Sequence, residues 1–193
     1  WELWGLLGVP VLLLAPRIDL RTIARSALGG IVVLAVLFLP FALLGPFRMF
    51  SFAWPIDHNS LAHLLFPHLR TFPWPLRLTQ GALAVGAGAV VARLTRSQPN
   101  AIWLVPLVVC AVRLFTDPVS AGYYALPPLL MILVGASFAI AQRSALVFAS
   151  CLILTNVILD VPRSVVTTGI LLGLVVVTVV LVVRQDRVRG VAT

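Results

Sequence analysis

All three histidines of the chain fall within one interval, "SFAWPIDHNSLAHLLFPHLRTFPWP" at residues 51–75, as His58, His63 and His68. Asp57, one of six acidic residues in the chain, adjoins His58. Imidazole titrates near neutrality, so a carboxylate beside it suits proton transfer at a watery surface. Two readings stand side by side: a proton-handling site built on Asp57, His58 and His63, or a set of solvated interface residues. The spacing argues against a shared metal. Five residues of helix advance about 500°, which points successive imidazoles about 140° apart, whereas a helical zinc pair uses i, i+4. Pro67 also separates His63 from His68. No metal and no other cofactor is expected.

A second constellation is "RLFTDPVSAGYY", Arg113–Tyr124. Arg113 and Asp117 are four apart and share a helix face if the helix runs that far. An ionisable pair inside an apolar chain is expensive and marks a site by default, with a structural ion pair ending the helix before Pro118 as the plainer reading. Arg113 is suited to gripping phosphate, and a nearby carboxylate or imidazole to activating a hydroxyl. Arg70, Asp117, Tyr123 and Tyr124 complete the expected substrate-binding set around Arg113.

The elements that must position these groups are apolar. Of 193 residues, 61% are hydrophobic and 10% charged, against roughly 25% charged in soluble domains. Seven segments approach the roughly 20 residues a bilayer crossing needs: Trp1–Ala15, Ser26–Gly45, Leu76–Leu94, Ala101–Phe115, Tyr123–Ala141, Ala145–Leu159 and Val165–Val183. The expectation is an all-α polytopic membrane bundle of about seven transmembrane helices, forming a single domain over residues 1–193. The chain opens on Trp1 flush with an apolar run, which suggests the C-terminal part of a longer protein, with the upstream part as a partner. "GALAVGAGAVVA" (81–92) reads as a close-packing stripe of small residues. Cys110 and Cys151 fall inside apolar spans and read as small buried hydrophobes.

Charge orients the bundle. All 14 basic residues are arginine. With seven crossings, the loops after the first, third and fifth and the C-terminal tail share one side, and nine arginines collect there: 17, 21, 25, 93, 96, 143, 184, 187 and 189. Cytoplasmic loops carry the basic excess, so the tail is expected inside and residues 46–75 outside. The net charge of +8 then reflects topology and contact with membrane lipids, and no soluble basic region exists to bind nucleic acid. The long connection, Pro46–Pro75, is rich in Phe and Trp, which suit the headgroup interface. Within it "DHNSLAHLLF" predicts a short interfacial helix capped by Asp57 or Asn59, with Ser60 a weaker cap.

The run "RLFTDPVSAGYYALPPLLMIL" resembles a late crossing pair of GT-C-type polytopic membrane glycosyltransferases, and "FAWPIDHNSLAHLLFP" resembles their later extracytoplasmic loop. The resemblance spans about residues 46–141. It implies transfer of a hexose or pentose, mannose-like or other, from a polyprenyl-phosphate donor with inversion at the extracytoplasmic face of the cell membrane. It implies Arg113 as a phosphate-gripping residue and His58 or His63 as a late-loop site residue. The family's general-base aspartate lies in its first extracytoplasmic loop, and no matching loop is visible here. The rival reading is a transporter or flippase-like subunit, which favours polar residues at the bilayer midplane. Here Thr155 and Asn156 are the main ones, and no charge sits there.

Overall fold

The computed structural model describes residues 20–44, 54–119, 122–160 and 164–190. The described residues are mostly helical. It divides into two compact units, residues 15–53 and a larger one carrying residues 54–193. The smaller unit contributes α1, Leu20–Leu44, an apolar helix of 25 residues with Pro40 near its end. The expected crossing Trp1–Ala15 lies outside the described residues.

The larger unit opens with a two-stranded antiparallel ribbon, β1 (Trp54–Pro55) and β2 (Thr71–Phe72), in which Trp54 faces Phe72 and Pro55 faces Thr71. Between the strands lies α2, Leu61–Leu65. Then follow α3 (Trp74–Leu94), α4 (Leu104–Thr116), α5 (Leu126–Ala141), α6 (Ala145–Asp160) and α7 (Val165–Gly190). Helix starts follow local chemistry. Pro75 sits in the first turn of α3 and Pro127 in that of α5, where a missing N–H costs nothing. At α7, Thr167 N–H donates to Ser164 Oγ at 3.3 Å and Ser164 N–H to Thr167 Oγ1 at 2.8 Å, a reciprocal cap in which threonine replaces the usual Glu.

Helix α4 is the centre, packed against α3, α5 and α7. Leu104, Val105, Leu107, Val109 and Ala111 are almost wholly buried on it. The stripe on α3 behaves as expected: Ala84, Gly88 and Ala92 are buried at i, i+4 spacing, which lets the two helix backbones approach. Gly135 on α5 gives the same service to Trp103, for a Cβ there would lie 2.6 Å from the indole ring.

Six of the seven expected apolar segments coincide with helices, but three of these are shorter than a full span. Among the described residues one helix, Val165–Arg184, is long and apolar enough to cross a membrane by length and composition, and 22% of its most apolar window is buried in the molecule. Helices α4, α5 and α6 have 13, 16 and 16 residues. At 1.5 Å per residue α4 is about 20 Å long, short of a hydrocarbon core of about 30 Å. Asp117 and Pro118 end it at one side and the 3₁₀ turn Pro99–Ala101 precedes it at the other. The seven α-helices among the described residues include the five-residue α2, so helix number does not translate into crossings.

Candidate functional site

The site forms where the end of α4 meets the histidine-bearing loop. Asp117 is the residue after α4, with φ −69° and ψ 132°, so the helix stops one residue before the shared face that the i, i+4 argument assumed. The pair forms nonetheless: Arg113 Nη2 stands 3.6 Å from Asp117 Oδ2. Asp117 Oδ1 accepts the Val119 N–H at 3.0 Å, closing a turn over Pro118 in the manner typical of aspartate.

The loop docks onto this turn through its backbone. Asp57 N–H donates to the Pro118 carbonyl at 2.8 Å, and Val165 N–H at the start of α7 donates to the Asn59 carbonyl at 2.9 Å. Asp57 Oδ1 accepts the Asn59 N–H at 3.1 Å. Ser60, not Asp57 or Asn59, caps α2: its hydroxyl accepts His63 N–H at 3.2 Å and donates to the Asp57 carbonyl at 2.6 Å. Asp57 and Asn59 are occupied in turning the chain one step earlier. The result is a cleft lined by Asp57, Ser60, Asp117, Tyr124, Ser164 and Thr168 among others, with a volume of about 20 Å³, close to that of one water.

Arg113 and Asp117 are joined by a residue that the sequence reading did not assign, Arg77. Arg77 is 5% exposed, Arg113 6% and Asp117 6%. The Arg77 guanidinium stacks over Trp54 at 4.1 Å and lies 5.9 Å from the Phe72 ring, so the ribbon serves as its aromatic wall. Arg113 lies 5.9 Å from the Tyr124 ring, and Gln80 Nε2 donates to the Arg113 carbonyl at 3.4 Å. Burial pushes the Asp117 carboxyl above its ordinary range. The Val119 N–H, Arg113, Arg77 and Gln80 pull the other way without cancelling it. Two guanidiniums thus stand near one carboxylate, and both act on its charge.

The remaining expected site residues fall elsewhere. His58 is exposed and His63 half-buried, and neither lines the cleft. They touch each other instead, Nδ1 to Nε2 at 3.5 Å. Arg70 is exposed, and its carbonyl accepts Ile56 N–H at 3.3 Å beside the ribbon. Tyr124 is buried. Tyr123 lies in the 3₁₀ turn Gly122–Ala125, and its side chain is outside the description. The signal for Arg77 was present in the sequence: positions 77, 80, 84, 88 and 91 recur at three- and four-residue steps along the buried face of α3. Among the described residues no group of three or more His, Cys, Asp or Glu is placed to hold a metal ion. No protein-family model, no curated protein and no solved structure matches the chain.

Proposed function

We propose that the Arg77–Arg113–Asp117 cluster and the cleft that Asp117 lines bind the phosphate of a lipid-linked substrate at a membrane face, and that the protein is a multi-pass membrane glycosyltransferase using a polyprenyl-phosphate sugar. The observation that carries this reading is the pair of guanidiniums buried near the Asp117 carboxylate, which itself lines the cleft. Guanidinium matches phosphate geometry and forms charge-assisted hydrogen bonds with it.

Membrane placement draws on where the apolar side chains stand. Leu83, Val90, Leu130, Leu133, Leu152, Ile170, Val176 and Val177 are all at least half exposed, spread over α3, α5, α6 and α7. A helix apolar on its outer face as well as its inner one belongs in lipid or deep in a large core. The shorter helices fit a bilayer thinned locally or sealed by neighbouring protein. The polar residues deep in the helices are satisfied locally: Thr155 Oγ1 donates to the Cys151 carbonyl, Asn156 Nδ2 to Leu152 and Thr178 Oγ1 to Leu174, at 2.9, 2.9 and 2.8 Å. They offer no ladder for a solute, which weighs against the transporter reading.

In the proposed reaction the bond between the anomeric carbon and the phosphate oxygen breaks, and the phosphate keeps the electron pair. The acceptor oxygen bonds to the same carbon from the opposite side, and its proton passes to a carboxylate. Arg113 and Arg77 stabilise the charge that grows on the leaving phosphate. Asp57, the acidic cleft residue whose carboxyl is not tied to an arginine, takes the proton. The test is binding of polyprenyl phosphate against polyprenol by the purified chain. Preference for the phosphate is expected, with a loss of about 10- to 150-fold in Arg77→Gln and in Arg113→Gln, corresponding to about 1.5–3 kcal/mol per charge-assisted hydrogen bond. Equal binding of the alcohol and the phosphate would sink the reading.

A further inference from the structure

We propose that His58 and His63 form an open two-histidine site for a divalent transition cation of the zinc class. His58 Nδ1 and His63 Nε2 are 3.5 Å apart, with ring centroids 4.8 Å apart and planes at 84°. Two nitrogens on one tetrahedral zinc, each at about 2.0–2.1 Å, stand about 3.4 Å apart. The separation is already that of a chelate.

The helical argument against a metal fails for this pair because His58 is not on the helix. Helix α2 begins at Leu61. His58 occupies the turn before it, where the Asp57 carboxylate holds the Asn59 N–H and Ser60 N–H donates to the Asp57 carbonyl at 3.0 Å. The Ser60 hydroxyl holds the His63 N–H. Both ends of the chelate are thus fixed by short-range hydrogen bonds, and the loop itself is anchored at the Pro118 and Asn59 carbonyls. His68 stands beyond Pro67, outside this turn.

The contact is not a packing device, since His58 is exposed. In the metal-free pair one nitrogen donates and the other accepts, so a single proton occupies the place the cation takes. Ligation requires both nitrogens unprotonated; as the cation enters, the bridging proton passes through water to the other nitrogen of its own ring, so both imidazoles stay neutral, and modest rotation of the rings converges the lone pairs. With two protein ligands the remaining positions stay open to water or to an anion oxygen. The site lies outside the cleft lining and does not rest on the phosphate reading.

The experiment is a zinc titration of the full chain, purified without a histidine tag and followed by calorimetry, with cobalt absorption reporting tetrahedral nitrogen ligation. One zinc per chain is expected. Since loss of a group that only hydrogen-bonds a metal ligand costs about 10–100-fold in metal affinity, His58→Ala and His63→Ala should each lose at least about tenfold. His68→Ala should bind as the parent does. Thermal melting of the three metal-free variants is expected to match the parent, which separates lost ligation from lost fold. Absence of zinc binding by the parent, undiminished affinity in either His58→Ala or His63→Ala, or an equal loss in His68→Ala would overturn the proposal.

Discussion

Asp117 is the residue where burial and charge are most directly opposed. Burial raises its carboxyl above the ordinary value despite the arginines, so the folded state holds the proton more tightly than the unfolded chain. The sign follows from linkage: the native state binds more protons between the unfolded value of about 4 and the raised native one, and stability falls as pH rises through that window. Asp117→Asn mimics the protonated form. It is expected to melt at or above the parent at pH 7, with the difference closing as pH falls toward about 4; melting curves across that range in detergent decide it, and a large drop at pH 7 would show that the ionised pair is what the fold requires. At Ser60 the stake is the short helix. Ser60→Ala removes the cap and is expected to cost about 1 kcal/mol locally, read as faster amide exchange at His63 and Leu64. The residues of this region were only partly legible beforehand. Arg113, Asp117 and Asp57 announced themselves as rare charges in apolar surroundings, and the two clusters do meet. The pairing of His58 with His63 did not, because spacing on an ideal helix says nothing about a residue one turn before it. Arg77 was hidden by its position near the end of an apolar run, where an arginine reads as an interface anchor.

The helices were legible because runs of Leu, Val, Ala and Phe without charge leave few alternatives, and α6 begins at the expected residue, Ala145. The ribbon was not: two residues per strand, with Pro55 in one and Pro73 directly after the other, carry no alternation to read. Helix α4 begins three residues after the expected Ala101, because a 3₁₀ turn occupies Pro99–Ala101, and it runs one residue past the expected Phe115 before Asp117 and Pro118 stop the hydrogen-bonded ladder. The contact between α4 and α5 has a sharper dependence. Gly135→Ala would drive a methyl into the Trp103 ring, an overpacking that costs about 1–3 kcal/mol. Trp103→Leu clears the ring atoms concerned. The double variant should therefore be less destabilised than the sum of the two single ones, and simple additivity of the melting shifts would count against a direct clash.

At the scale of the molecule, the expected orientation is testable through the unit of residues 54–193. Val165 is tied to the Asn59 carbonyl, and Arg184 lies 19 residues further along α7, about 28 Å at helical rise. With Cys110 and Cys151 replaced, His68→Cys is expected to react with an impermeant thiol reagent from outside intact cells and Arg184→Cys only after permeabilisation. Labelling of both from one side would mean that no crossing separates them, and labelling with the sides exchanged would reverse the topology; either would remove the substrate face. The loop that carries Asp57 and the histidines has one more consequence. Its two anchors, Asp57 N–H to Pro118 and Val165 N–H to Asn59, join main chain to main chain. Almost any side chain at positions 57 and 59 leaves both bonds available, proline at 57 excepted, whereas one residue added or removed between them puts one anchor out of register. For these two bonds length counts before identity, so a scan of single deletions will find a boundary set by the anchors, distinct from the dependence on the Asp57 carboxyl that a scan of substitutions reads.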